Sequence, residues 1–456
     1  MIRIFTILLL AGCGAVVLAA HTTAGMPTLQ SRIATAAPGD TVHVGPGRYA
    51  GPIVIDKPLI LIADGPGVII EGTGDGDVVK ILAAGTTLRG FVIRRTGINL
   101  DQENAGIVLA AAGAVIEDNL VEDALFGITL RNASDAVIRH NEVAGKLDLA
   151  IARRGDGIKL WNSDRAVIER NHVRDCRDLV MWYSKDLVVR RNKVERCRYG
   201  IHFMYAGQAT VEANDLRDNS VGIFLMYGQG LKLNRNVVAH NRGPSGFGLG
   251  LKDVDGVEVH DNVFADNRVA LHVDNSPSRD DLTHTYRRNV FAYNDVALGL
   301  MPSVRNNRFV ENSFFDNVEQ VAVFGGGNLR GNAFTVEGVG NYWSDYRGYD
   351  ANGDGVGDVT HKSQSLFENL MDREPRLRLF LFSPAQQAVE LASRAFPVVK
   401  PQVRAIDTAP LMRPVHAQAT ALMAAPSGWS AGGLCAALGL LAAGACVVSL
   451  AQRELR

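Results

Sequence analysis

Two methionines and a histidine stand in matching frames in the middle of the chain. The segments GIHFMYAGQ and GIFLMYGQG place Met204 and Met226 22 residues apart, and His202 lies two residues before the first methionine. Thioether sulfur is a soft ligand that selects Cu(I), and imidazole also binds copper. Met204, Met226 and His202 could therefore form a two- or three-coordinate Cu(I) site if the fold brings the two segments together.

Aromatic side chains in the same segments allow a second interpretation. Exposed Met, Trp and Tyr side chains are typical of a surface that binds a partner protein or a soft ligand. The candidate partner surface comprises Trp161, Trp182, Tyr183, Tyr205 and Tyr227. The two interpretations are compatible, because one docking site can also hand over a metal.

Recurring asparagines define the elements that must position these side chains. They occupy one frame with a period of about 22 residues, at Asn119, Asn141, Asn171, Asn192, Asn214, Asn236, Asn262, Asn289, Asn312 and Asn332. A second Asn or Cys follows five residues later in many repeats, at Cys176, Cys197, Asn219, Asn241, Asn267, Asn294 and Asn317. A fixed period of roughly 20 to 50 residues is typical of a solenoid.

Each repeat contains two or three short segments with alternating apolar residues, separated by Gly, Asn and Asp, which predicts strands and turns. A repeat of this length matches one turn of a right-handed parallel β-helix with about three strands. Asn suits the stacked turn because it tolerates a left-handed backbone and because its amide can bond to the copies above and below. The sequence therefore predicts an all-β solenoid with a structural Asn ladder, a short N-terminal cap and a helical or extended C-terminal tail.

Alternation along the aligned segments assigns the two faces of one strand per turn. The columns that contain Ile158 and Leu160 are uniformly apolar and are predicted to point inward, together with Met181. One outward column runs through Lys159, Val180, His202, Phe224, Gly250 and His272, and the other through Trp161, Trp182, Met204, Met226, Lys252, Asp274 and Met301. We therefore expect Met204 and Met226 to be neighbours on the solvent side, and Met301 becomes a further Cu(I) candidate.

The two ends of the chain indicate export and membrane attachment. Arg3, an apolar run and small residues near Ala20 are typical of a secretory signal, while Leu-Ala-Gly before Cys13 leaves lipidation of that cysteine open. Near the other end, about 23 uncharged residues are enough to span roughly 30 Å of hydrocarbon. Arg453 and Arg456 follow them, which favours a cytoplasmic tail and a body outside the cytoplasm.

The predicted organisation has five parts. They are a signal peptide (1–20), the parallel β-helix (21–343), a Gly/Asp-rich loop and coil end (344–382), a helical and Pro-rich tether (383–428) and a possible transmembrane anchor (429–451). Lys and Arg number 47 against 48 Asp and Glu, a net charge of −1. No overall positive field is therefore available to recruit nucleic acid.

A loop after the repeats resembles a calcium-binding sequence. Asp350, Asn352, Asp354 and Asp358 follow the D-x-N-x-D-G pattern, in which oxygen ligands alternate along the loop. The twelfth position is His361 and not the expected bidentate Glu. A structural Ca²⁺ site and a plain Gly-Asp turn both remain open.

Four polar residues on neighbouring repeats allow an enzymatic interpretation. Lys252, Asp253, His272 and Asp274 could form an acid/base cluster that acts on a polysaccharide, since paired carboxylates beside a cation serve such chemistry. Polar neighbours of this kind are also common on the outer faces of solenoids. The cluster therefore supports a polysaccharide lyase or epimerase only as an alternative, beside a sugar-binding solenoid that uses the Trp and Tyr residues.

The run NYWSDY at 341–346, continued by DANGDG at 350–355 and preceded by the Asn repeats, resembles the NosD family of nitrous oxide reductase maturation proteins. The resemblance implies a non-enzymatic periplasmic β-helix that handles Cu(I) in transit. It also implies as partners the ATPase and permease subunits of an ABC transporter, a copper chaperone lipoprotein and nitrous oxide reductase itself. With the possible anchor, we expect a periplasmic protein tethered to the inner membrane.

Overall fold

The computed structural model describes residues 28–381, 383–396 and 401–415, and most of them belong to three long parallel sheets. In the described residues the first sheet has twelve strands: Thr41–Val44, Ile60–Ala63, Thr87–Arg89, Val115–Glu117, Val137–Arg139, Val167–Glu169, Val188–Arg190, Thr210–Glu212, Lys232–Asn234, Glu258–His260, His284–Arg287 and Asn307–Val310.

The second sheet has thirteen strands in the same part of the chain: Gly47–Ala50, Val68–Glu71, Val92–Arg94, Leu120–Ala124, Glu142–Gly145, His172–Arg174, Lys193–Glu195, Asp215–Arg217, Val237–Ala239, Val263–Ala265, Val290–Ala292, Ser313–Phe315 and Tyr342–Trp343. The third sheet, again within the described ranges, has twelve: Ile53–Ile55, Val79–Ile81, Ala105–Leu109, Phe126–Arg131, Ile158–Trp161, Asp178–Trp182, Tyr199–Met204, Val221–Met226, Phe247–Lys252, Val269–Asp274, Val296–Leu300 and Glu319–Val323.

The chain visits the three sheets in turn, one strand in each, and then starts the next rung. Every strand in these sheets pairs in parallel with the equivalent strand one turn away, as in Ile158 with Leu179 and Ile201 with Ile223. The predicted right-handed parallel β-helix of about 22 residues per turn is confirmed, with about twelve turns of about 23 residues. Because equivalent residues stack, a feature of one rung is repeated about 4.8 Å away on the next.

The interior is filled by stacked apolar side chains from all three sheets. The two columns predicted to point inward are fully buried, and Met181 is buried with them. Towards the C-terminal end Phe264, Phe291, Phe314 and Trp343 form a continuous ring stack with centroid separations of 5.2, 5.1 and 4.2 Å. Burial of one such side chain contributes roughly 1.5–3 kcal/mol, so these columns supply most of the driving force for folding.

The asparagine ladder is present at the turn before the second sheet. Each amide oxygen accepts hydrogen bonds from the backbone N–H and the side-chain amide of the Asn one rung away, as Asn214 does from Asn192 at 2.9 and 3.0 Å. A second Asn ladder runs parallel to it through Asn219, Asn241, Asn267, Asn294 and Asn317. Buried amides are thereby satisfied on every rung.

Two details of the ladder prediction are wrong. The first ladder continues from Asn312 to Asn341, whereas Asn332 bonds to Asn307 in a separate pair. The left-handed backbone also belongs to the residue before each ladder Asn from Asn119 to Asn312, such as Arg191 (φ 55°) before Asn192. Amide hydrogen bonding alone therefore explains why Asn occupies this column.

A short helix covers the N-terminal end of the coil. Helix Leu29–Thr35 begins after Thr28, whose hydroxyl oxygen accepts from the backbone N–H of Ser31 at 3.1 Å. Leu29 and Ile33 pack against the first rungs and are buried. The predicted cap is confirmed, and it shields apolar side chains that the first turn would otherwise expose.

The C-terminal part closes the other end of the coil. It contains helices Leu366–Arg373 and Pro384–Ala395, the 3₁₀ helix Pro375–Phe380, and an antiparallel pair formed by His361–Ser363 and Ala405–Asp407. A further 3₁₀ helix, Ile151–Arg153, lies in a loop between the second and third sheets. Arg404 is buried and directly precedes Ala405–Asp407, which we call the closing strand. Its guanidinium pairs with the carboxylates of Glu319, Glu368 and Asp372.

The predicted signal peptide, anchor and Cys13 lie outside the described residues. Within the ranges that the structure covers, no helix has the length and apolar character needed to cross a membrane. The five-part division of the chain stays a prediction.

Candidate functional site

The third sheet presents Met204 and Met226 on its outer surface, on adjacent rungs. Trp182 pairs with Met204 across one rung, and Met204 pairs with Met226 across the next. Both methionines are half-buried, while Met181, on the opposite face, is fully buried. The fold therefore brings two thioethers side by side at one strand spacing, about 4.8 Å, on the outer surface.

His202 points away from the core, but it is not open to solvent. Its side chain is 5% exposed, because the rings of Tyr199 and Phe224 close over it with centroids at 4.9 and 6.2 Å. The expectation of a solvent-side histidine is wrong for this reason: large side chains on adjacent rungs cover this column of the sheet. Lys159 and Val180, in the same column, are buried as well.

A carboxylate orients the His202 ring. Nδ1 of His202 lies 3.4 Å from Oδ2 of Asp178, and Arg198 donates to the same carboxylate, Nε to Oδ1 at 3.0 Å. Burial acts to raise the pKa of Asp178, but the hydrogen bonds from His202 and Arg198 outweigh it and hold the pKa below its ordinary value. Nε2 of His202 is buried and has no hydrogen-bond partner in the described part of the chain.

This arrangement matches the usual surroundings of a metal-binding imidazole. A ligating histidine generally gives its other ring nitrogen to a carboxylate or carbonyl, which fixes the tautomer and the ring plane. The unpartnered Nε2 and the two neighbouring thioethers are donors that suit Cu(I), while the carboxylate at Nδ1 orients the ring. Among the described residues, no group of three His, Cys, Asp or Glu side chains could hold a metal ion.

Met301 does not belong to this group. It follows strand Val296–Leu300, and the register places it beyond Asp274, which in turn lies beyond Lys252 and Met226. Three rungs therefore separate Met301 from Met226, roughly 14 Å at the usual strand spacing. Met301 also packs against the core of the coil.

The five predicted aromatic residues form one continuous surface beside the methionines. Tyr183, Tyr205 and Tyr227 stack in nearly parallel planes, with centroids 5.2 and 4.9 Å apart. Trp161 meets Tyr183 edge-on at 4.9 Å and Trp182 at 5.7 Å. We call these seven residues the aromatic–thioether face: Trp161, Trp182, Tyr183, Met204, Tyr205, Met226 and Tyr227.

The tyrosines occupy backbone positions that do not favour them. Their φ angles are 50, 52 and 53°, in the left-handed region. The equivalent residue on flanking rungs is Asn162 or Asp253, with φ 49 and 50°, residue types that tolerate this conformation. The turn alone therefore does not explain tyrosine at this position on three consecutive rungs.

A groove of about 660 Å³ runs along the stacked rings of Tyr183, Tyr205 and Tyr227, which we call the Tyr ladder. The wall of the groove that faces these rings was not predicted from the sequence. That wall carries the polar side chains Lys185, Gln208, Gln229 and Asp255. Isolated parallel bridges link Lys185, Gly207, Gln229 and Asp255 on successive rungs, so a short fourth ladder supports the groove. The sequence does contain one sign of this wall, a Gly-Gln pair after each Met-Tyr pair, at 207–208 and 228–229. The glycines Gly207 and Gly228 lie where the backbones of two turns approach closely.

A smaller cavity of about 360 Å³ lies at the other end of the face, under the two tryptophans. The buried ammonium group of Lys159 pairs there with Glu103 and lies 4.8 Å from the centre of the Trp182 ring. This cation–π contact holds the indole in place from below. The sequence places Lys159 in an outward column but gives no sign of Glu103, which stands outside the repeating frame.

The alternative acid/base cluster is only partly assembled. Lys252 and Asp274 form an ion pair at 3.9 Å, and Asp253 accepts a hydrogen bond from Asn275. His272, however, stacks on the ring of Phe247 at 4.3 Å, and burial lowers its pKa below the ordinary value. The imidazole is therefore held within an aromatic stack, although the charges of Asp274 and Lys252 still act on it.

The side-chain oxygens of the candidate calcium loop accept hydrogen bonds from the backbone of the same loop. N–H groups of the loop donate to the side chains of all four candidates, Asp350, Asn352, Asp354 and Asp358. These hydrogen bonds, chiefly from Gly355 and Gly353, hold the pKa of Asp350 below its usual range. His361, at the twelfth position, instead stacks on Trp343 at 4.7 Å. Calcium binding by the loop stays a prediction.

Comparison with known proteins identifies the family. The chain is 32% identical over 396 residues to the probable ABC transporter binding protein NosD of Pseudomonas aeruginosa, covering 80% of this chain and 87% of the relative. It is 30% identical over 395 residues to the protein of the same name from Stutzerimonas stutzeri, covering 80% and 85%. The chain belongs to the NosD family.

The NosD family model, described as a periplasmic copper-binding protein, matches residues 144–348. That range contains the whole aromatic–thioether face, His202 and the NYWSDY run. Among solved structures, the A-module of the mannuronan C-5 epimerase AlgE6 from Azotobacter vinelandii is similar with a TM-score of 0.50 and 15% identity, covering 67% of this chain and 93% of that one. At this identity the likeness shows the shared β-helix fold alone.

Proposed function

We propose that this NosD-family protein is a non-enzymatic accessory factor for copper-site maturation of nitrous oxide reductase. The observation that carries the proposal is the in-register pair Met204 and Met226 on the outer surface of the third sheet. Two thioethers offer Cu(I) a soft site without any thiolate charge. Copper is the cargo here, held in transit and passed on.

Three groups would hold the ion. Met204 and Met226 supply sulfur, and the buried Nε2 of His202 supplies the third donor, oriented through Asp178. The half-exposed methionines leave one side of the site open, so that a partner's ligands can replace them one at a time. A covered histidine beside an exposed sulfur pair therefore favours transfer over permanent storage.

The aromatic–thioether face would receive the partner. Tyr and Trp side chains give large contact areas with little loss of conformational entropy, and they dominate binding at protein interfaces. Here they surround the methionine pair along about four rungs. We propose that a copper chaperone lipoprotein and nitrous oxide reductase dock at this face in succession.

The C-terminal part would connect the β-helix to an ABC transporter. The closing strand Ala405–Asp407 attaches the tail to the end of the coil, and the predicted anchor at 429–451 follows. We propose that the tail and anchor hold the periplasmic body at the inner membrane, next to the ATPase and permease subunits. The copper site would then lie several rungs from the membrane-proximal end, accessible to soluble partners.

An anaerobic Cu(I) titration tests the metal site. Full-length protein in detergent is titrated against a chromophoric Cu(I) chelator, as wild type and as the Met204→Leu/Met226→Leu double variant. Leucine preserves volume but removes the sulfur donor. We expect at least a tenfold loss of affinity, because the double variant lacks two of the three proposed donors. A tenfold loss corresponds to roughly 1.4 kcal/mol.

Met301→Leu is the matched control, because it removes a thioether three rungs away from the pair. It should leave the Cu(I) affinity unchanged. In a host that lacks the native gene, the double variant should also lower the copper content of nitrous oxide reductase, whereas Met301→Leu should not. Wild-type affinity and wild-type copper loading in the double variant would contradict the proposed function.

A further inference from the structure

Two cysteines occupy consecutive rungs of the second Asn ladder. The backbone N–H of Cys197 donates to the amide oxygen of Asn219 at 2.9 Å, as a ladder asparagine would. Val173 pairs with Val194, and because each cysteine follows three residues later, Cys176 lies one rung from Cys197. Both side chains are buried and both thiols are free.

The distance between the two positions suits a covalent link. Parallel strands lie about 4.8 Å apart, and the Cα atoms of a disulfide are usually about 4.4–6.8 Å apart. The two thiols have equivalent surroundings, since that of Cys176 donates to the carbonyl of Arg174 at 3.1 Å and that of Cys197 to the carbonyl of Glu195 at 3.5 Å. Each cysteine directly follows a left-handed residue, Asp175 or Arg196, so both lie at a turn and not within a regular strand.

We propose that Cys176 and Cys197 form a disulfide that joins two successive rungs of the coil. In the bond-forming step, both thiols lose their protons, the two sulfurs bond, and two electrons pass to the disulfide of a thiol oxidant, which leaves as a dithiol. Because both cysteines are covered in the folded coil, the exchange takes place before these rungs close. An extracytoplasmic compartment, as the family description gives, supplies such oxidants.

A Cu(I)–thiolate site at the same pair is disfavoured. The neighbouring thiol of Cys197 and burial in the core raise the pKa of the Cys176 thiol well above its ordinary value. A metal ligand must be the thiolate, and an anion here would be desolvated among apolar side chains. A disulfide is uncharged and apolar, so the core accommodates it. It also leaves no buried thiol to compete with the methionines for copper.

The link would act on the rungs that carry the proposed copper site. Cys176 lies two residues before the strand Asp178–Trp182, and Cys197 lies two residues before the strand Tyr199–Met204. A cross-link at the start of these two strands fixes the rung of Trp182 relative to the rung of Met204. The disulfide does not depend on copper binding, because the two cysteines lie on consecutive rungs whether or not copper is bound.

The test is to trap thiols in cells with acid and to alkylate the full-length protein under denaturing conditions. Cleavage after lysine yields Cys176 in the peptide 160–185 and Cys197 in the peptide 194–232. We expect the two peptides to be joined in nearly all molecules and to separate on reduction, each then gaining one alkyl group. Alkylation of both cysteines without prior reduction would overturn the proposal.

The variant Cys176→Asn/Cys197→Asn is a matched control that extends the second Asn ladder through both positions. It should fold, and its thermal midpoint should be the same with and without reductant. The wild-type protein, unfolded and refolded with reductant, should melt at a lower temperature than the oxidised protein. Equal midpoints for the oxidised and reduced wild type would also overturn a stabilising cross-link.

Discussion

Two columns of this β-helix repeat one residue type on consecutive rungs, and they do so for different reasons. In the first Asn ladder the side chains are buried, and each amide bonds to its neighbours above and below. In the Tyr ladder the side chains are 37–48% exposed and stand at left-handed backbone positions. Repetition in a solenoid therefore does not by itself indicate function, and the local energetics must be considered.

The two columns have different effects on the stability of the fold. Each ladder asparagine makes hydrogen bonds that contribute roughly 0.5–1.5 kcal/mol apiece, and it prevents buried amides from being left unpaired. A non-glycine residue in the left-handed region costs on the order of 1–3 kcal/mol, which ring stacking of roughly 0.5–1.5 kcal/mol only offsets. The Asn ladder stabilises the fold, whereas the Tyr ladder leaves stability about unchanged or lowers it.

The largest expected effect is from Asn214→Leu in the middle of the Asn ladder. The substitution removes four hydrogen bonds: two that Asn192 donates to the amide oxygen of Asn214, and two that the Asn214 amide donates to the carbonyl of Val189 and to the amide oxygen of Asn236. The amide oxygen of Asn236 keeps the backbone N–H of residue 214, and the side-chain amide of Asn192 keeps the carbonyl of Ile168. At roughly 0.5–1.5 kcal/mol for each of these four hydrogen bonds, and more for the buried N–H of Asn192, we expect a loss of about 4 kcal/mol. Chemical denaturation followed by circular dichroism measures it, with the exposed Gln102→Leu as control. A change as small as that of the control would remove the structural account of the Asn ladder.

A smaller and more local effect is expected at the C-terminal end of the same column. Asp407 accepts from the backbone N–H of Asn341 (2.7 Å), the indole of Trp343 (2.9 Å) and the hydroxyl of Thr335 (2.8 Å). Its carboxylate thus ends the ladder and attaches the closing strand. Asp407→Ala should cost roughly 3 kcal/mol. Hydrogen exchange should accelerate in Ala405–Asp407 and leave the central rungs unchanged; uniform acceleration along the coil would contradict a terminal role.

The period and the face pattern were predictable from sequence because a β-helix repeats locally. Alternation of inward and outward residues separated Met181 from Met204 without any structure. The burial of His202 was not predictable, because it depends on rings of Tyr199 and Phe224 from other positions of the frame. The ladder's step from Asn312 to Asn341 was hidden by an insertion that also contains Asn332.

The candidate site was predicted in its residue types but not in its full environment. Lys185, Gln229 and Asp255 line the groove beside the Tyr ladder, and the bridged ladder that carries them has a different residue type on each rung. Glu103 reaches Lys159 from 56 residues away in sequence. Contacts of this kind arise from the stacking of unlike turns, and a repeat pattern in one sequence carries no signal for them.

The smallest expected change in stability, combined with a large change in binding, is from Tyr205→Asn. Asparagine tolerates φ 52° without the strain that tyrosine has there, and that gain roughly compensates for the lost stacking on Tyr183 and Tyr227. We expect the free energy of unfolding to change by less than about 1 kcal/mol. Removal of the central ring of the aromatic–thioether face should weaken partner binding at least tenfold, measured as capture of apo nitrous oxide reductase by the immobilised copper-loaded protein.

Tyr293→Asn provides the matched control for this experiment. Tyr293 also lies in the left-handed region (φ 59°), is 42% exposed and meets one aromatic neighbour, Phe315, but it follows a strand of the second sheet. It shares residue type, backbone conformation and exposure with Tyr205 and differs in its face. Equal loss of binding in both variants would mean that exposed tyrosines act nonspecifically. A large loss of stability in Tyr205→Asn would show that the Tyr ladder, like the Asn ladder, is structural.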